Sequence, residues 1–352
     1  MNNQPSTNST SESSIEIAQF DQIQALVKSE FQVEDSFLEH GIPTFYVKHD
    51  ENSKQAFLNL TKRIDPIGFI PVLRKQNGNI VLRAVPKPPT KPSRRTTNIA
   101  LFLATLGTVL FAGIFQSYDE VTQTYNIFQA VPFTVAILAI LGSHEMGHKI
   151  AANKHKVEAT YPYFIPGPPP IGTFGAVIQQ KSLPPNKDAL FDVGATGPIA
   201  GFIVTLIVSV IGILLSHRTE STGPFIQPPL LLRWIADTFP PGGTGNAIQL
   251  HPVAFAGYVG MIVTMLNLTP AGMLDGGHAA RSFLNERVLS ILALFSIGML
   301  LFLGYWPMAM IALLFSFYRH PGPLDDVSKL TTSRKLATLA LVAIFIVCIA
   351  PI

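Results

Sequence analysis

Residues 193–216 read VGATGPIAGFIVTLIVSVIGILLS, a run of 24 residues without a charged side chain. A helix of about 20 residues is long enough to cross the ~30 Å hydrocarbon layer of a bilayer. Two more charge-free runs, each of 23 residues, cover 96–118 and 252–274. Runs of this length are longer than the buried helices of soluble domains usually are. The sequence therefore predicts membrane-spanning helices.

Three further apolar stretches extend this pattern. Residues 125–152 contain a few ionisable side chains near their end, and residues 336–352 form a final apolar stretch of 17 residues. Residues 288–318 run for 31 residues without a charge, and Gly304-Tyr305-Trp306-Pro307 offers a turn between two shorter spans. We therefore predict an α-helical polytopic membrane protein with about seven transmembrane helices.

Lysines and arginines near the spans predict the orientation of the chain. Four basic residues lie in 87–95, before the first span, and the loop 119–124 after that span contains none. Because basic residues gather in cytoplasmic loops, the N-terminus is expected in the cytoplasm. Two spans rather than one in 288–318 would place Arg319 and Arg334 on the same side as the N-terminus.

The composition excludes several classes of protein. Charged residues make up 13 % of the chain against about 25 % in soluble domains, while 48 % are hydrophobic. The net charge of +3 is spread along the chain, so nucleic acid is not expected as a partner. The single cysteine, Cys348, excludes an internal disulfide and a metal site built from several cysteines.

The N-terminal part of the chain predicts a small cytoplasmic α+β unit. Residues 1–20 read as a disordered tail without the apolar core of a signal peptide, and residues 21–86 read as the folded unit. The Pro-rich and basic stretch 87–95 predicts a linker into a transmembrane domain, 96–352, whose core is 125–280.

Within the N-terminal unit the predicted elements are a strand, a helix and a hairpin that turns at Asn77-Gly78. They cover residues 45–48, residues 53–63, and residues 71–75 with 80–85.

The motif His144-Glu145-Met146-Gly147-His148 (HExxH) lies near the end of stretch 125–152. On a helix, residues i and i+4 share a face, so both imidazoles can bind one ion while Glu145 lies beside a bound water. Ionisable groups near the end of a span cost a few kcal/mol each unless they are paired, coordinated or hydrated. The motif therefore favours a metal site over two buried histidines that bond to each other.

Catalytic zinc usually has three protein ligands and one open position. The extended pattern HExxHxxGxxH requires glycine at 151 and histidine at 154, where this chain has Ala151 and Lys154, and His155 is one residue out of place. The remaining candidate is Asp275. Pro270 and Gly272 interrupt the preceding span, and broken backbone at membrane depth is tolerated where protein buries it or water reaches it. The alternative is a solvated carboxylate at the end of a helix.

Two motifs together resemble those of the site-2 proteases, which are zinc metalloproteases that cut within the membrane. They are HExxH on one span and Asn267-x-x-Pro270-x-x-x-Leu274-Asp275-Gly276 on a later one. The resemblance implies one catalytic Zn2+ and intramembrane cleavage of transmembrane segments in membrane-anchored protein substrates. It also implies residue roles: zinc ligation by His144, His148 and Asp275, general base catalysis by Glu145, and a polar contact near the reacting carbonyl by Asn267.

Other segments are similar to the branch with cyanobacterial and plastid homologues, namely 172–178 and 197–201. The outer loop 216–251 is too short for an inserted PDZ domain, and the few residues after the last span leave no room for CBS domains. We therefore expect the branch that lacks both.

The segment 171–180 is apolar and β-prone, and it contains the candidate substrate-binding residues Gly172, Thr173, Phe174 and Gly175. It could be an edge strand that pairs with an unwound substrate, or a hairpin that covers the site. Gly197, Pro198 and Gly201 favour close packing between helices.

A different function is a multi-span transporter or metal carrier that uses the intramembrane His and Asp residues. Transporters often show repeated halves with paired broken spans, and one broken span without a counterpart favours the enzyme. The expected partners are the membrane-anchored substrate and the lipid bilayer, and the sequence leaves the oligomeric state open. The predicted location is a prokaryotic cell membrane, with the thylakoid as alternative.

Overall fold

The computed structural model describes residues 8–89, 94–119, 124–220, 227–317 and 320–349. The chain folds into two compact units. The first unit comprises Met1–Lys91, Leu183–Lys187 and Gly322–Lys329, and the second comprises Pro92–Ser182, Asp188–Pro321 and Leu330–Ile352.

The first unit contains an antiparallel sheet with strand order β1-β2-β4-β3 and two helices. Its elements are α1 (Asn8–Glu30), β1 (Val33–Glu39), β2 (Ile42–Val47), α2 (Ser53–Ile64), β3 (Phe69–Gln76) and β4 (Asn79–Pro86). The predicted helix, the strand at 45–48 and the hairpin at Asn77-Gly78 are confirmed, and β1 is a strand that the sequence pattern did not reveal.

Helix α1 begins at Asn8, within the stretch 1–20 that the sequence predicts as a disordered tail. The later part of the helix has apolar residues at helical spacing: Ile23 and Val27 are fully buried. Phe20 stacks on Phe45 of β2 with ring centroids 5.8 Å apart. Packing against the sheet therefore stabilises a helix whose polar first half gives no such signal.

Two segments from far along the chain extend the sheet of the first unit. The backbone N–H of Leu73 in β3 donates to the carbonyl of Leu324 over 2.9 Å, and the N–H of Leu324 donates to the carbonyl of Pro184 over 2.8 Å. Leu324 joins the apolar core of the unit. The predicted unit 21–86 includes neither segment, because isolated bridge pairs such as Leu73 with Asp325 leave no readable alternation.

The second unit is helical. Its helices are α3 (Arg95–Gln116), α4 (Ile127–Lys154), α5 (Lys187–Leu215), α6 (Leu230–Thr238), α7 (Pro252–Leu268), α8 (Asp275–Arg281), α9 (Glu286–Phe302), α10 (Trp306–Ser316) and α11 (Thr332–Val347). Short strands connect them: β5 (Tyr118–Asp119), β6 (Thr124–Tyr125), β7 (Tyr163–Pro166), β8 (Thr173–Val177), β9 (His217–Thr219), β10 (Gly242–Gly243) and β11 (Ala247–Gln249).

Three of these helices, α3, α4 and α5, are long and apolar enough to cross a membrane, and α7 is a shorter apolar helix. The stretch 288–318 forms two helices, as predicted, because α9 ends at Phe302 and α10 begins at Trp306. Residues 90–93 of the predicted linker 87–95 lie outside the described residues, and so does the basic residue Arg319. The total of seven spans stays a prediction.

The contribution of Leu324 to the stability of the first unit can be tested by mutation. Leu324→Ala should lower the free energy of unfolding of this unit by about 2–4 kcal/mol, because it removes a buried side chain from the core. Hydrogen exchange in the full-length protein would show faster exchange of the Leu73 amide. Leu38→Ala is the matched control, since Leu38 is 44 % exposed. Equal protection of Leu73 in both variants would contradict the claim.

Candidate metal centre

Helix α4 brings the HExxH side chains to one buried face. His144, Glu145 and His148 are each at least 94 % buried. The two Nε2 atoms of the histidines lie 3.1 Å apart, as expected for residues one helical turn from each other. Each of the three side chains offers one possible ligand atom, and these atoms lie within 4.8 Å of one another, so the group could hold a metal ion.

Asp275 reaches the two histidines because the backbone is interrupted between α7 and α8. Helix α7 ends at Leu268, and the following turn contains Gly272 with φ +50°, a left-handed conformation that favours glycine. Asp275 is the first residue of α8. Its Oδ2 lies 3.1 Å from Nε2 of His144 and 3.2 Å from Nε2 of His148.

These three atoms form a nearly equilateral triangle that fits a zinc ion. Tetrahedral zinc with ligands at about 2.0–2.2 Å requires the ligand atoms to be separated by about 3.3–3.6 Å, so the observed separations of 3.1–3.2 Å would have to widen by a few tenths of an ångström. Two imidazole nitrogens and one carboxylate oxygen are a usual donor set for catalytic zinc, and a fourth position stays open for water or substrate. The residues present therefore fit the ion.

The other nitrogen of His148 determines which tautomer the imidazole adopts. Its Nδ1 donates to the backbone carbonyl of Val193 in α5 over 2.6 Å. Because the proton resides on Nδ1, the lone pair of Nε2 is directed toward Asp275 and is available to a metal. This partner is a backbone atom, which no sequence pattern identifies.

Two glycines of α5 provide the space for the imidazoles. A Cβ at Gly197 would overlap the ring of His148, and a Cβ at Gly201 would lie 3.0 Å from Cβ of His144. The spacing of these glycines, i and i+4, matches the spacing of the histidines on α4. Gly197 and Gly201 were predicted to pack against a neighbouring helix. In the structure they pack against the imidazole side chains of His148 and His144 on α4.

Glu145 and Asn267 lie beside the donors. The carboxylate of Glu145 lies close enough to the backbone N–H of Ile178, which follows β8, for an electrostatic interaction. The amide nitrogen of Asn267, in the last turn of α7, is 3.5 Å from Nε2 of His144. The structure therefore brings all five residues of the predicted centre together.

The candidate substrate-binding residues fall into two pairs. Gly172 packs its Cα against the backbone of Thr108 in α3, and the hydroxyl of Thr173 donates to the carbonyl of Ile165 over 2.7 Å. Phe174, in contrast, is 74 % exposed, and Gly175 pairs with Ile165 of β7. Among the residues described, β8 has β7 as its paired strand.

His155, the histidine one residue out of place, takes a structural role. Its Nε2 is 2.7 Å from Oδ2 of Asp192 in α5, and Arg334 of α11 donates two hydrogen bonds of 2.6 Å to the same carboxylate. Asp192 thus joins the end of α4 to α5 and α11. Spacing along the sequence could not reveal this network, because its members are distant in the chain.

His278, one turn after Asp275, pairs with another residue. Its Nδ1 lies 2.5 Å from Nε2 of His320, away from the donor triangle. Burial lowers the pKa of His320 to about 3, and the neighbouring His278 and Arg281 add to this effect. His320 is therefore neutral at physiological pH.

Comparison with known proteins agrees with this geometry. Residues 132–305 match the profile of peptidase family M50. The chain is 31 % identical over 240 residues, 63 % of its length, to "Probable zinc metalloprotease EGY1, chloroplastic" of Oryza sativa subsp. japonica. It is 32 % identical over 230 residues, 61 % of its length, to the protein of the same name in Arabidopsis thaliana. These matches cover 41 % and 42 % of the relatives.

A third relative is "Probable zinc metallopeptidase EGY3, chloroplastic" of Arabidopsis thaliana, 30 % identical over 225 residues, which are 58 % of this chain and 39 % of the relative. The chain thus spans about two fifths of the length of these relatives. No solved structure matches it.

The buried HExxH of α4 and the carboxylate at the start of α8 form a candidate metal centre on apolar helices. The segment that matches peptidase family M50, residues 132–305, contains all five residues of the predicted centre.

The fit between glycine and imidazole predicts a severe defect for Gly197→Ala. The new Cβ must displace the His148 ring, so we expect metal content to fall at least tenfold, as measured by mass spectrometry of the purified protein. Gly201→Ala should have a smaller effect, because its contact of 3.0 Å needs a smaller shift. The control is Gly298→Ala in α9, where a Cβ meets no atom within 4 Å. Full metal content in Gly197→Ala would refute this account.

Proposed function

We propose that this protein is a zinc-dependent intramembrane endopeptidase that cleaves transmembrane segments of membrane-anchored protein substrates. The observation that carries the proposal is the donor triangle of His144, His148 and Asp275 beside Glu145. The family M50 domain and the zinc metalloprotease names of the relatives support it. The transporter alternative lacks comparable support, since the family and these relatives are peptidases.

A multi-pass location in a membrane is part of the proposal. Large apolar side chains cover the outer faces of α3, α4 and α5, as in Ile99, Val135 and Ile207, which are all more than half exposed. A lipid environment would remove the free-energy cost of this exposure. We retain about seven spans and a cytoplasmic N-terminus. A prokaryotic cell membrane remains the proposed location, and the word "chloroplastic" in the relatives' names supports the thylakoid alternative.

The predicted domain organisation is retained as part of the proposal. A cytoplasmic α+β unit precedes the linker 87–95, and the transmembrane domain 96–352 contains the catalytic core 125–280. The N-terminal unit has no chemical role in this scheme.

The proposed chemistry assigns one task to each residue. Zinc, when bound, polarises the scissile carbonyl and brings the pKa of a water ligand towards ~7. Glu145 accepts the proton of the attacking water and passes it to the leaving amine. Asn267 lies where its amide can donate to the oxygen of the reacting carbonyl.

We infer that the substrate binds as an extended strand along β8. A helical peptide hides its carbonyls in intrahelical hydrogen bonds, so it must unwind before it is cut. The exposed Phe174 and the adjacent Gly175 would contact it, while Gly172 and Thr173 hold the strand in place. Because Ile178 follows β8 and interacts electrostatically with Glu145, a strand paired with β8 would be directed to the general base.

Glu145→Gln tests the catalytic assignment. The amide preserves size and packing but cannot accept the water proton, so cleavage of a model single-span substrate in proteoliposomes should fall by about 10²–10⁴-fold. Zinc content should stay at one ion per chain. Glu34→Gln, at an exposed carboxylate in β1, is the control and should cleave normally. Cleavage by Glu145→Gln at the unaltered rate would exclude the assignment.

Asp275→Ala tests the third ligand. Removal of one donor should reduce zinc content as strongly as His148→Ala does, because each variant leaves two donors. His155→Ala should retain the ion, since His155 bonds to Asp192 instead. Metal analysis after dialysis against a chelator gives the readout. If Asp275→Ala kept its zinc, another group would have to complete the site.

A further inference from the structure

The C-terminal end of α4 opens into a recess that the proposed reaction does not use. It has a volume of about 560 Å³ and is lined by Lys149, Asn153, Lys156, Val157, Glu158, Ala159 and Lys181. Three lysines face one carboxylate here, so the recess has an excess of positive charge. We call it the lysine recess.

Short-range contacts hold the walls of the lysine recess in place. Ala159 and Gln180 form an antiparallel bridge, and the N–H of Lys181 donates to the carbonyl of Glu158 over 2.7 Å. Lys149 donates to the carbonyl of Ala159, and its ammonium lies 5.5 Å from the centre of the Tyr161 ring. The backbone of the recess is therefore ordered, and the ammonium of Lys149 is held by a carbonyl and an aromatic ring.

An apolar stripe on α4 leads into the lysine recess. Val135, Met146 and Ile150 lie on the outer face of the helix and are 62 %, 39 % and 62 % exposed. Asn153 follows Ile150 at the spacing of one turn and lines the recess, so the stripe ends where the positive charge begins. Tyr161, which is 55 % exposed beside it, has the amphipathic character favoured at a membrane–water interface.

Apolar surface that ends in a basic recess is complementary to one kind of molecule, a lipid with an anionic head group. We propose that the lysine recess binds the phosphate of an anionic membrane lipid whose acyl chain lies along the α4 stripe. The proposal rests on the membrane location of the proposed function. It places a lipid against the outer face of the helix that carries HExxH, so the lipid composition of the membrane bears directly on that helix.

The test uses the full-length protein in nanodiscs of phosphatidylcholine that contain a minor fraction of phosphatidylglycerol. Lipids that remain bound after mild detergent extraction are identified by native mass spectrometry, and we expect retained phosphatidylglycerol in excess of its share. The double variant Lys156→Gln/Lys181→Gln should lower the affinity for phosphatidylglycerol about 30-fold, a factor of about five for each lysine at a membrane surface. Raised ionic strength should release the lipid from the native protein.

Lys154→Gln is the matched control, because Lys154 lies on the same helix end but does not line the recess. It should retain phosphatidylglycerol like the native chain. The proposal would be overturned if the native protein retained phosphatidylcholine and phosphatidylglycerol in proportion to their shares. It would also be overturned if Lys154→Gln lost as much phosphatidylglycerol as the double variant. Displacement of the bound lipid by inorganic phosphate would assign the recess to a soluble anion and would also overturn it.

Flotation with the nanodiscs separates this test from that of the proposed function. A chain that does not stay with the bilayer would contradict the membrane location itself. A chain that stays, cleaves its substrate and shows no preference for phosphatidylglycerol would contradict the lipid site alone. Should the double variant not reconstitute, the salt dependence of the native protein decides the question.

Discussion

The packing of two imidazoles and two carboxyl groups between apolar helices, at His144, His148, Glu145 and Asp275, is the constraint on which the rest of this structure depends. Each such group costs a few kcal/mol at membrane depth unless it is paired, coordinated or hydrated. Their satisfaction requires α4 and α5 to approach so closely that glycine is needed at 197 and 201. The carbonyl of Val193 then accepts a hydrogen bond from Nδ1 of His148, so the lone pair of Nε2 is directed toward Asp275.

The same constraint explains why α7 does not continue into α8. In an unbroken helix, helical periodicity alone would set the direction of the Asp275 side chain. In the structure, the carboxylate oxygen of Asp275 lies 3.1 Å from Nε2 of His144 and 3.2 Å from Nε2 of His148. The turn at 269–274 redirects the chain, and close contact between Gly276 and the carbonyl of Leu268 allows the backbone to fold back. Irregular backbone at this depth is tolerated because protein surrounds it.

Charge outside the donor triangle holds the surrounding helices together. Arg334 and His155 share the carboxylate of Asp192, and Asp188 lies 3.3 Å from the same arginine. Asp192 directly precedes Val193, whose carbonyl orients His148. Arg334 of α11 is thus linked through Asp192 and Val193 of α5 to the imidazole of His148. In the first unit, the segments that complete the sheet, 183–187 and 322–329, directly precede Asp188 and the start of α11 in sequence.

Much of the centre could be predicted from the sequence because its signals are local. HExxH places two imidazoles on one helical face, and the length of the charge-free runs reflects the thickness of a bilayer. The interruption at Pro270 and Gly272 was also readable, since these residues weaken a helix wherever it lies. The two helices in 288–318 follow from a turn motif that spans four residues.

The parts of the fold and of the centre that the sequence did not predict depend on contacts between residues far apart in the chain. Local sequence patterns carry no information about such contacts. The sequence determined the donor types, the apolar helices and the point where one of them breaks. The tertiary structure decided that Val193 orients His148, that His155 bonds to Asp192 instead of joining the donors, and that residues 183–187 and 322–329 complete the N-terminal sheet. The physical reason is that these contacts use backbone carbonyls and single side chains, whose partners are selected by packing and not by spacing.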